Sequence, residues 1–249
     1  MSATQATSIR LCTELVLPAS KRVAAIECAR QERASNVSVP TGLELALIKR
    51  RMWKNGRVLR VCFTDGDPAV HDRVAHHAAT WQQYANIEFE FGSDPDAEIR
   101  VAFEPGGSWS YLGTDILTIE GDLPTMNLGW LTPDSPDDEV SRIVLHEFGH
   151  VLGCIHEHQN PRAGIPWDVD KVYAYYWHTQ GWDRDAVDIQ ILRRYAEDQT
   201  NVSAFDPASI MLYAVPAELT IGGFSTPFNT RLSDMDETFM AAMYPGASR

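Results

Sequence analysis

The distribution of apolar and polar residues in the first half of the chain predicts β-strands separated by a helix. Three stretches carry the pattern of strands, two of them with strict alternation: residues 58–63, 87–91 and 97–103. Between the first two, Asp67 and Pro68 supply an N-cap and a first-turn proline for a helix. That helix carries apolar residues at the spacing of one core-facing stripe: Val74, Ala78, Trp81 and Ala85.

The pattern changes further along the chain. Two more strand candidates follow a Gly-rich turn, at residues 116–120 and 125–128, and Ser135 is expected to cap the next helix with proline and acids in its first turn. Beyond residue 156, helices and irregular loops predominate, with Asp168 capping a helix through Tyr176 and Ser233 capping a last helix. We therefore expect an intermixed sheet and helix region first and a looser helical region second.

Composition limits the class of protein. The chain has 249 residues, of which 44% are hydrophobic and 22% are charged, as in a soluble globular protein with one sizeable domain. No run of about 18 apolar residues occurs, so we expect no membrane-spanning helix. The net charge of −13 argues against nucleic acid as a partner. We expect a monomer that acts on protein or peptide and binds neither nucleic acid nor membrane.

The charge is unevenly distributed along the chain. Residues 1–60 carry a net charge of +7 and residues 61–249 a net charge of −20, so a basic leader precedes an acidic body. The apolar stretch within residues 1–20 is interrupted by Glu14 and lacks the charged start of a secretory signal. This predicts a cytoplasmic protein, export by an unconventional route, or a signal that has been trimmed. The four cysteines form no C-x-x-C pair and are expected to be reduced.

The strongest candidate for chemistry is HEFGHVLGCIHEH, which starts at His146. On a helix, His146 and His150 are one turn apart, about 6 Å along the axis, so both imidazoles can bind one metal ion, with Glu147 beside them. Gly153 can adopt the left-handed conformation that ends a helix, which allows His156 to approach the same ion from another direction. Three neutral nitrogen ligands and a fourth position for water are the pattern of a catalytic zinc site.

This arrangement is the metzincin zinc signature HExxHxxGxxH, and Glu157, directly after it, matches the residue that astacin-like proteases carry there. Further along, Ser209-Ile-Met-Leu-Tyr213 resembles the S-x-M-x-Y methionine turn of astacins. The chain therefore resembles the astacin-like family. The resemblance makes Met211 the apolar floor of the metal site and Tyr213 the phenol near the zinc, with Gly153 and Glu157 as structural residues.

The resemblance covers about residues 46–245 and implies an α+β, metzincin-type fold. We expect an N-terminal mixed twisted sheet with an active-site helix and a second helix, a C-terminal irregular and helical subdomain, and a cleft between them. Residues 1–48 would be a leader and candidate pro-segment, and residues 49–249 the catalytic domain, divided into 49–155 and 156–249. The usual family disulfide cysteines are absent, and Leu212 stands where histidine is common, which suggests a divergent, disulfide-free relative.

The resemblance implies a zinc-dependent endopeptidase. Zinc in such a site lowers the pKa of a bound water to about 7 and polarises the scissile carbonyl. Glu147 would take a proton from that water and deliver it to the departing amine. Tyr213 would ligate zinc at rest and donate to the oxyanion during reaction, a buried core tyrosine being the alternative. Substrates would lie against an edge strand formed by Thr125, Met126, Asn127 and Leu128.

The basic leader adds a regulatory hypothesis. A pro-segment lying across the cleft could place Cys12 or Cys28 as a thiolate on the zinc, because thiolates are good zinc ligands and would displace the water. The alternative is a basic surface extension with unreactive thiols. The aspartate-type latch motif of the family is not evident upstream of residue 50.

Other interpretations stay open. A catalytically silent zinc-binding module that binds protein partners would need the histidines but not Glu147. A matrixin-like or serralysin-like metzincin is a further alternative, although Glu157 and Tyr213 favour the astacin-like branch. His158 is expected beside the site or, by preference, at the surface, and the pair His76 and His77 is expected to be solvated.

Overall fold

A computed structural model describes residues 11–36, 51–195 and 204–246 of the chain. The helices are α1 Arg22–Glu32, α2 Pro68–Ala78, α3 Asp137–Val151, α4 Val169–Gln180, α5 Arg184–Val187 and α6 Asp234–Met243. The strands are β1 Arg57–Phe63, β2 Ile87–Gly92, β3 Ile99–Ala102, β4 Ser108–Ser110 and β5 Met126–Leu128. The boundary predicted at residues 48 and 49 lies outside the described residues.

The five strands form one mixed sheet in the order β2-β1-β3-β5-β4. β1, β2, β3 and β5 are parallel, and only β4 runs antiparallel to its neighbour β5. Parallel neighbours need a crossover connection, and α2 supplies the one between β1 and β2. The α+β class expected from the sequence is confirmed.

The expectation that Thr125, Met126, Asn127 and Leu128 form an edge strand is wrong. β5 pairs with β3 on one side and with β4 on the other, so its backbone groups are already engaged. The edge on this side of the sheet is β4, which the sequence analysis missed because its three residues, Ser-Trp-Ser, are too few for an alternating pattern.

The main core lies between the sheet and the helices α2 and α3, which pack against each other. Phe148 of α3 meets Phe89 of β2 edge to face, with ring centroids 4.9 Å apart. At the end of α3, the indole of Trp53 donates to the Val151 carbonyl at 2.7 Å and the Tyr244 hydroxyl donates to the next carbonyl at 2.8 Å. These bonds satisfy carbonyls that a helix end leaves unpaired, and they fix the end of α3 where the metal-site motif lies.

Two other local predictions differ from the structure. Residues 116–120 do not form a strand, because the chain there belongs to a 3-10 helix, Gly113–Thr118, whose buried Asp115 carboxylate pairs with Arg51 at 3.0 Å. Ser135 does not cap α3, since Pro136 occupies the N-cap position and the Ser135 hydroxyl accepts from the Thr132 N–H at 2.9 Å. A short apolar run such as residues 116–120 fits a strand and a helix equally well, so the pattern alone could not decide between the two structures.

The second half of the chain has its own smaller core, built around α4, α5 and a π-helix, Asp188–Leu192. The predicted caps of α4 and α6 are confirmed: Asp168 accepts from the Lys171 N–H, and Ser233 forms a capping box with Asp236. α4 continues beyond the expected Tyr176 to Gln180. Among the described residues, no helix has the length and apolar character needed to cross a membrane.

The leader contacts both halves of the protein. α1 packs against the 3-10 helix Gly113–Thr118, where Lys21 pairs with Glu120 at 2.6 Å. Leu11 and Cys12 are buried in the smaller core of the second half. Residues 11–36 are therefore packed against the body rather than forming a detached extension.

Candidate metal centre and active site

Three histidines and one cysteine converge at the junction of the two halves. α3 presents His146 and His150 on one face, and the chain reverses at Gly153, which has a φ of +96°. The reversal returns His156 to the same point. One ligand atom from each of the four residues lies within 4.8 Å of the others, and all four side chains are buried: Cys12, His146, His150 and His156.

Hydrogen bonds orient two of the rings. Nδ1 of His146 lies 2.8 Å from the Ile210 carbonyl oxygen, and Nδ1 of His150 lies 2.7 Å from the Cys154 carbonyl oxygen. Because a carbonyl can only accept, these partners assign the proton to Nδ1 and leave the Nε2 lone pairs directed at the cluster. Histidine ligands of metals usually donate their other ring N–H to a carbonyl or carboxylate in this way.

The cluster fits a divalent metal better than a set of ordinary core histidines. Nε2 of His146 is buried and has no hydrogen-bond partner among the described residues. Nε2 of His150 lies 3.2 Å from Nε2 of His156, close to the roughly 3.3 Å that separates two nitrogen ligands on one tetrahedral zinc. Burial, with the neighbouring His150, holds the pKa of His146 and His156 well below its ordinary value. The rings are therefore neutral, as ligation requires.

Glu147 is fully buried beside the cluster. Its Oε2 accepts from the Cys12 thiol at 3.4 Å, and its Oε1 has no partner among the described residues. Burial raises the pKa of the Glu147 carboxyl to about 8, opposed by the thiol and by Arg142. A carboxylate that holds a proton this firmly is suited to proton transfer near neutral pH.

The methionine turn is bonded to His146 through the Ile210 carbonyl and is fixed by α6. The Asp236 carboxylate accepts from the Ser209 hydroxyl at 2.7 Å and from the Ile210 N–H at 2.8 Å. Since Asp236 is also part of the capping box of α6, one side chain holds both the helix start and the turn. Met211 is thereby buried directly against Gly149 of α3.

Glu157 serves the loop after the third histidine. Its N–H donates to the Met211 carbonyl at 2.9 Å, and its Oε1 accepts from the Asp206 N–H at 3.0 Å and from Asn160 at 2.9 Å. Burial raises the pKa of Glu157 to about 7. These bonds connect the histidine loop to the methionine turn, which is a structural contribution to the site.

The contact between α3 and the methionine turn yields a stability prediction. A Cβ added at Gly149 would lie 2.4 Å from the Met211 sulfur, so Gly149→Ala must displace the buried Met211 side chain. We expect it to lower the free energy of unfolding by about 1–3 kcal/mol. Denaturant unfolding measures the effect. Gly121→Ala, whose added Cβ meets no atom within 4 Å, is the matched control, and equal stability of the two variants would contradict the close contact.

Tyr213 lies over two histidine rings. Its ring centroid is 4.4 Å from that of His156 and 4.5 Å from that of His158, and its hydroxyl donates to the Cys12 carbonyl. Burial raises the pKa of Tyr213 well above its ordinary value, so the phenol is protonated and available as a donor. The structure therefore places the predicted phenol beside the histidine cluster.

The expectation that His158 is at the surface is wrong. His158 is 1% exposed and its Nε2 lies 2.8 Å from the Gln190 carbonyl oxygen. The covering segment is the π-helix Asp188–Leu192, more than 30 residues further along, so no local pattern could have indicated the burial. Of the early pair, His76 is exposed, whereas His77 is partly buried and lies 3.1 Å from Asp137. The expectation of solvation is thus wrong for His77.

The structure distinguishes the two candidate latch cysteines. Cys12 supplies the fourth ligand atom of the cluster, whereas Cys28 is half-buried on α1 and does not belong to it. The latch expectation is therefore wrong for Cys28. All four cysteines are free, as the sequence predicts.

Comparison with known proteins provides an independent test. No protein-family model matches the chain. The solved structure of myroilysin is 45% identical, covers 80% of this chain and 98% of its own, and superposes with a TM-score of 0.78. High choriolytic enzyme 1, a hatching-enzyme zinc-protease from Oryzias latipes, is 16% identical over 78% of this chain and 94% of its own, with a TM-score of 0.54, which shows a shared fold.

Among curated proteins, Tolloid-like protein 1 from Mus musculus is 29% identical over 115 residues. The match covers 45% of this chain and 10% of the curated protein, so the chain corresponds to about a tenth of that relative's length.

Proposed function

The chain belongs to the astacin-like family of metzincin zinc metalloendopeptidases, and on that premise we propose that it hydrolyses internal peptide bonds of proteins at the cluster described above. The observation that carries the proposal is the convergence of His146, His150 and His156 beside the buried Glu147 carboxylate. Hydrolysis of casein and of a quenched peptide by the zinc-loaded chain carrying Cys12→Ala, with the zinc content measured, tests it.

The three histidines would hold one Zn²⁺, which when bound polarises the scissile carbonyl and acidifies water. Glu147, buried and bonded to Cys12 of the cluster, would take a proton from the attacking water and return it to the departing amine. Its burial matters, because a carboxylate shielded from bulk water exchanges that proton with the reactants rather than with solvent.

Tyr213 would donate to the carbonyl oxygen as negative charge develops on it. Its hydroxyl already donates to the carbonyl of Cys12, which supports this role, because that carbonyl belongs to a peptide lying in the cleft. In the chain carrying Cys12→Ala, we expect Tyr213→Phe to lower kcat by about 10- to 100-fold, as for the loss of a hydrogen bond to a charged group, with a smaller change in KM. Steady-state kinetics measure both constants, and an unchanged kcat would leave Tyr213 a packing residue only.

The substrate strand is proposed to bind at β4 rather than at β5. β4 is the edge of the sheet, and the leader already uses it: the Thr13 N–H donates to the Ser108 carbonyl at 3.1 Å. Recognition through the main chain of an edge strand implies an extended polypeptide substrate and modest dependence on its side chains.

We also propose that the leader is an inhibitory pro-segment with Cys12 as the latch. A thiolate would complete a four-coordinate site with the three imidazoles, which is the closed pattern of a zinc that cannot bind water. Backbone hydrogen bonds of the leader to Ser108 on one wall of the cleft and to Tyr213 on the other hold Cys12 in this position, so its position does not depend on the metal alone. Burial and Glu147 hold the pKa of the Cys12 thiol well above its ordinary value before a metal binds.

A catalytically silent zinc-binding module is the competing proposal. Such a module would need the imidazoles but would gain nothing from a buried carboxylate that costs free energy to desolvate. Glu147 has one oxygen without a partner among the described residues, which favours an enzyme over a binding module.

A further inference from the structure

The leader crosses the cleft as a strand that is bonded on both of its edges. Thr13 directs its N–H to Ser108 of β4, and Cys12 forms an isolated parallel bridge with the same residue. The main-chain groups of Cys12 and Glu14 face the opposite wall. This alternation is what an extended backbone dictates, since successive residues direct their N–H and C=O groups to opposite edges.

Gln190 makes both of the bonds that the main chain of Glu14 directs to that opposite wall. Its side-chain Oε1 accepts from the Glu14 N–H at 2.9 Å, and its Nε2 donates to the Glu14 carbonyl at 3.0 Å. A side-chain amide presents one acceptor and one donor, as a paired strand residue does, so it can bind both main-chain groups of one residue. These two bonds do not involve the side chain of the bound residue.

The position of Gln190 is fixed through the loop that carries the third histidine. Gln190 lies in the π-helix Asp188–Leu192, and its carbonyl accepts from His158, while the preceding carbonyl, of Ile189, accepts from Gln159 at 2.8 Å. π-Helical turns are rare and occur frequently at functional sites. Here the wide turn is cross-linked to the two residues that closely follow His156.

We propose that Gln190 binds the backbone of the substrate, forming with β4 a track that holds an extended peptide on both edges. The inference rests on the proposed endopeptidase function. It adds a specificity rule: the residue held by Gln190 can carry any side chain but must have an N–H, so proline is disfavoured there.

The leader indicates which substrate residue this is. The Cys12 carbonyl accepts a hydrogen bond from the Tyr213 hydroxyl, and the reacting carbonyl of a substrate is proposed to occupy the same position. Glu14, the residue bonded to Gln190, is two residues away from Cys12. Gln190 should therefore hold a residue two positions from the scissile carbonyl.

The test combines changes in the protein with changes in the peptide. A quenched peptide is compared with versions in which one amide N–H at a time is replaced by an ester oxygen, within three residues of the scissile bond on either side but not in the scissile bond itself. The protein is the full chain with Cys12→Ala, with and without Gln190→Met. We expect one ester, two residues from the scissile carbonyl, to lower kcat/KM by about 2- to 12-fold in the first chain, mainly through KM. In the chain with Gln190→Met the same ester should cause no further decrease in kcat/KM.

Two control variants separate the amide bond from general disturbance. Gln190→Glu keeps the acceptor but loses the donor, so we expect the ester to lower kcat/KM in this variant as well. Gln31→Met, on the exposed face of α1, should leave every constant unchanged. If Gln190→Met lowers the melting temperature, Gln190→Glu decides, and loss of the ester effect on kcat/KM in that variant overturns the inference. The inference is also overturned if the ester lowers kcat/KM by the same factor with and without Gln190→Met.

If the chain cleaves no peptide, the proposed function is contradicted but this inference is not. The leader, whose backbone Gln190 already holds, then provides the test. In the full chain with all cysteines present, the rate of maleimide addition to Cys12 is followed by peptide mapping. Gln190→Met should raise that rate about 2- to 12-fold by loosening the strand at Glu14. An unchanged rate would show that Gln190 does not hold a backbone in the cleft.

Discussion

Replacing Glu147 with alanine is expected to lower kcat of the full chain carrying Cys12→Ala by about 10²–10⁴-fold, which is the usual contribution of general acid–base catalysis. Glu147 is the buried carboxylate at the metal-ligand cluster, next in sequence to His146. The cluster itself requires the histidines only, so zinc content should be unchanged. Quenched-peptide hydrolysis and elemental analysis of the same samples measure the two effects together.

Two further variants make this result specific. Glu147→Gln keeps the shape of the side chain and should lose as much activity as the alanine variant, because the amide cannot accept the proton. Glu88→Ala, an exposed acid on β2, should leave activity unchanged. Activity that survives both changes at Glu147, with zinc retained, would refute the proposed mechanism.

Removing the Cys12 thiol is expected to have the opposite effect. Because the leader holds the thiol at the cluster as an intramolecular ligand, the chain carrying Cys12→Ala should hydrolyse the quenched peptide about 10²–10⁴-fold faster than the unchanged chain. The measurement is the initial rate at equal zinc content.

Cys28 provides the matched control for this experiment. It lies on α1 in the same leader but away from the cluster, so Cys28→Ala should remain as inactive as the unchanged chain. Equal rates for the unchanged chain and the chain carrying Cys12→Ala would mean that the leader is a surface extension without an inhibitory role. Activation by both alanine changes would point to general loosening of the leader.

The parts of the site that depend on local geometry could be predicted from the sequence. His146 and His150 share a face because of the helical period, and Gly153 reverses the chain because it alone tolerates the positive φ there. Ser233 and Asp236 likewise specify a helix start through bonds between near neighbours.

The parts of the fold and of the site that depend on pairing between distant segments could not be predicted from the sequence. The order of β3, β5 and β4 decides which strand is the edge, and no feature of a three-residue strand encodes that order. The burial of His158 depends on the π-helix Asp188–Leu192, which the sequence analysis did not anticipate. The choice between Cys12 and Cys28 depends on the path of the leader across the cleft, which is set by bonds to Ser108 and Gln190.

The coordination of zinc in the full chain tests the central claim most directly. X-ray absorption at the zinc edge should show one zinc per chain with three imidazole nitrogens at about 2.0–2.1 Å and one sulfur at about 2.3 Å. In the chain carrying Cys12→Ala the sulfur should be replaced by a nitrogen or oxygen scatterer while the imidazole signal persists. A zinc without imidazole ligands, or no bound zinc at all, would contradict the account.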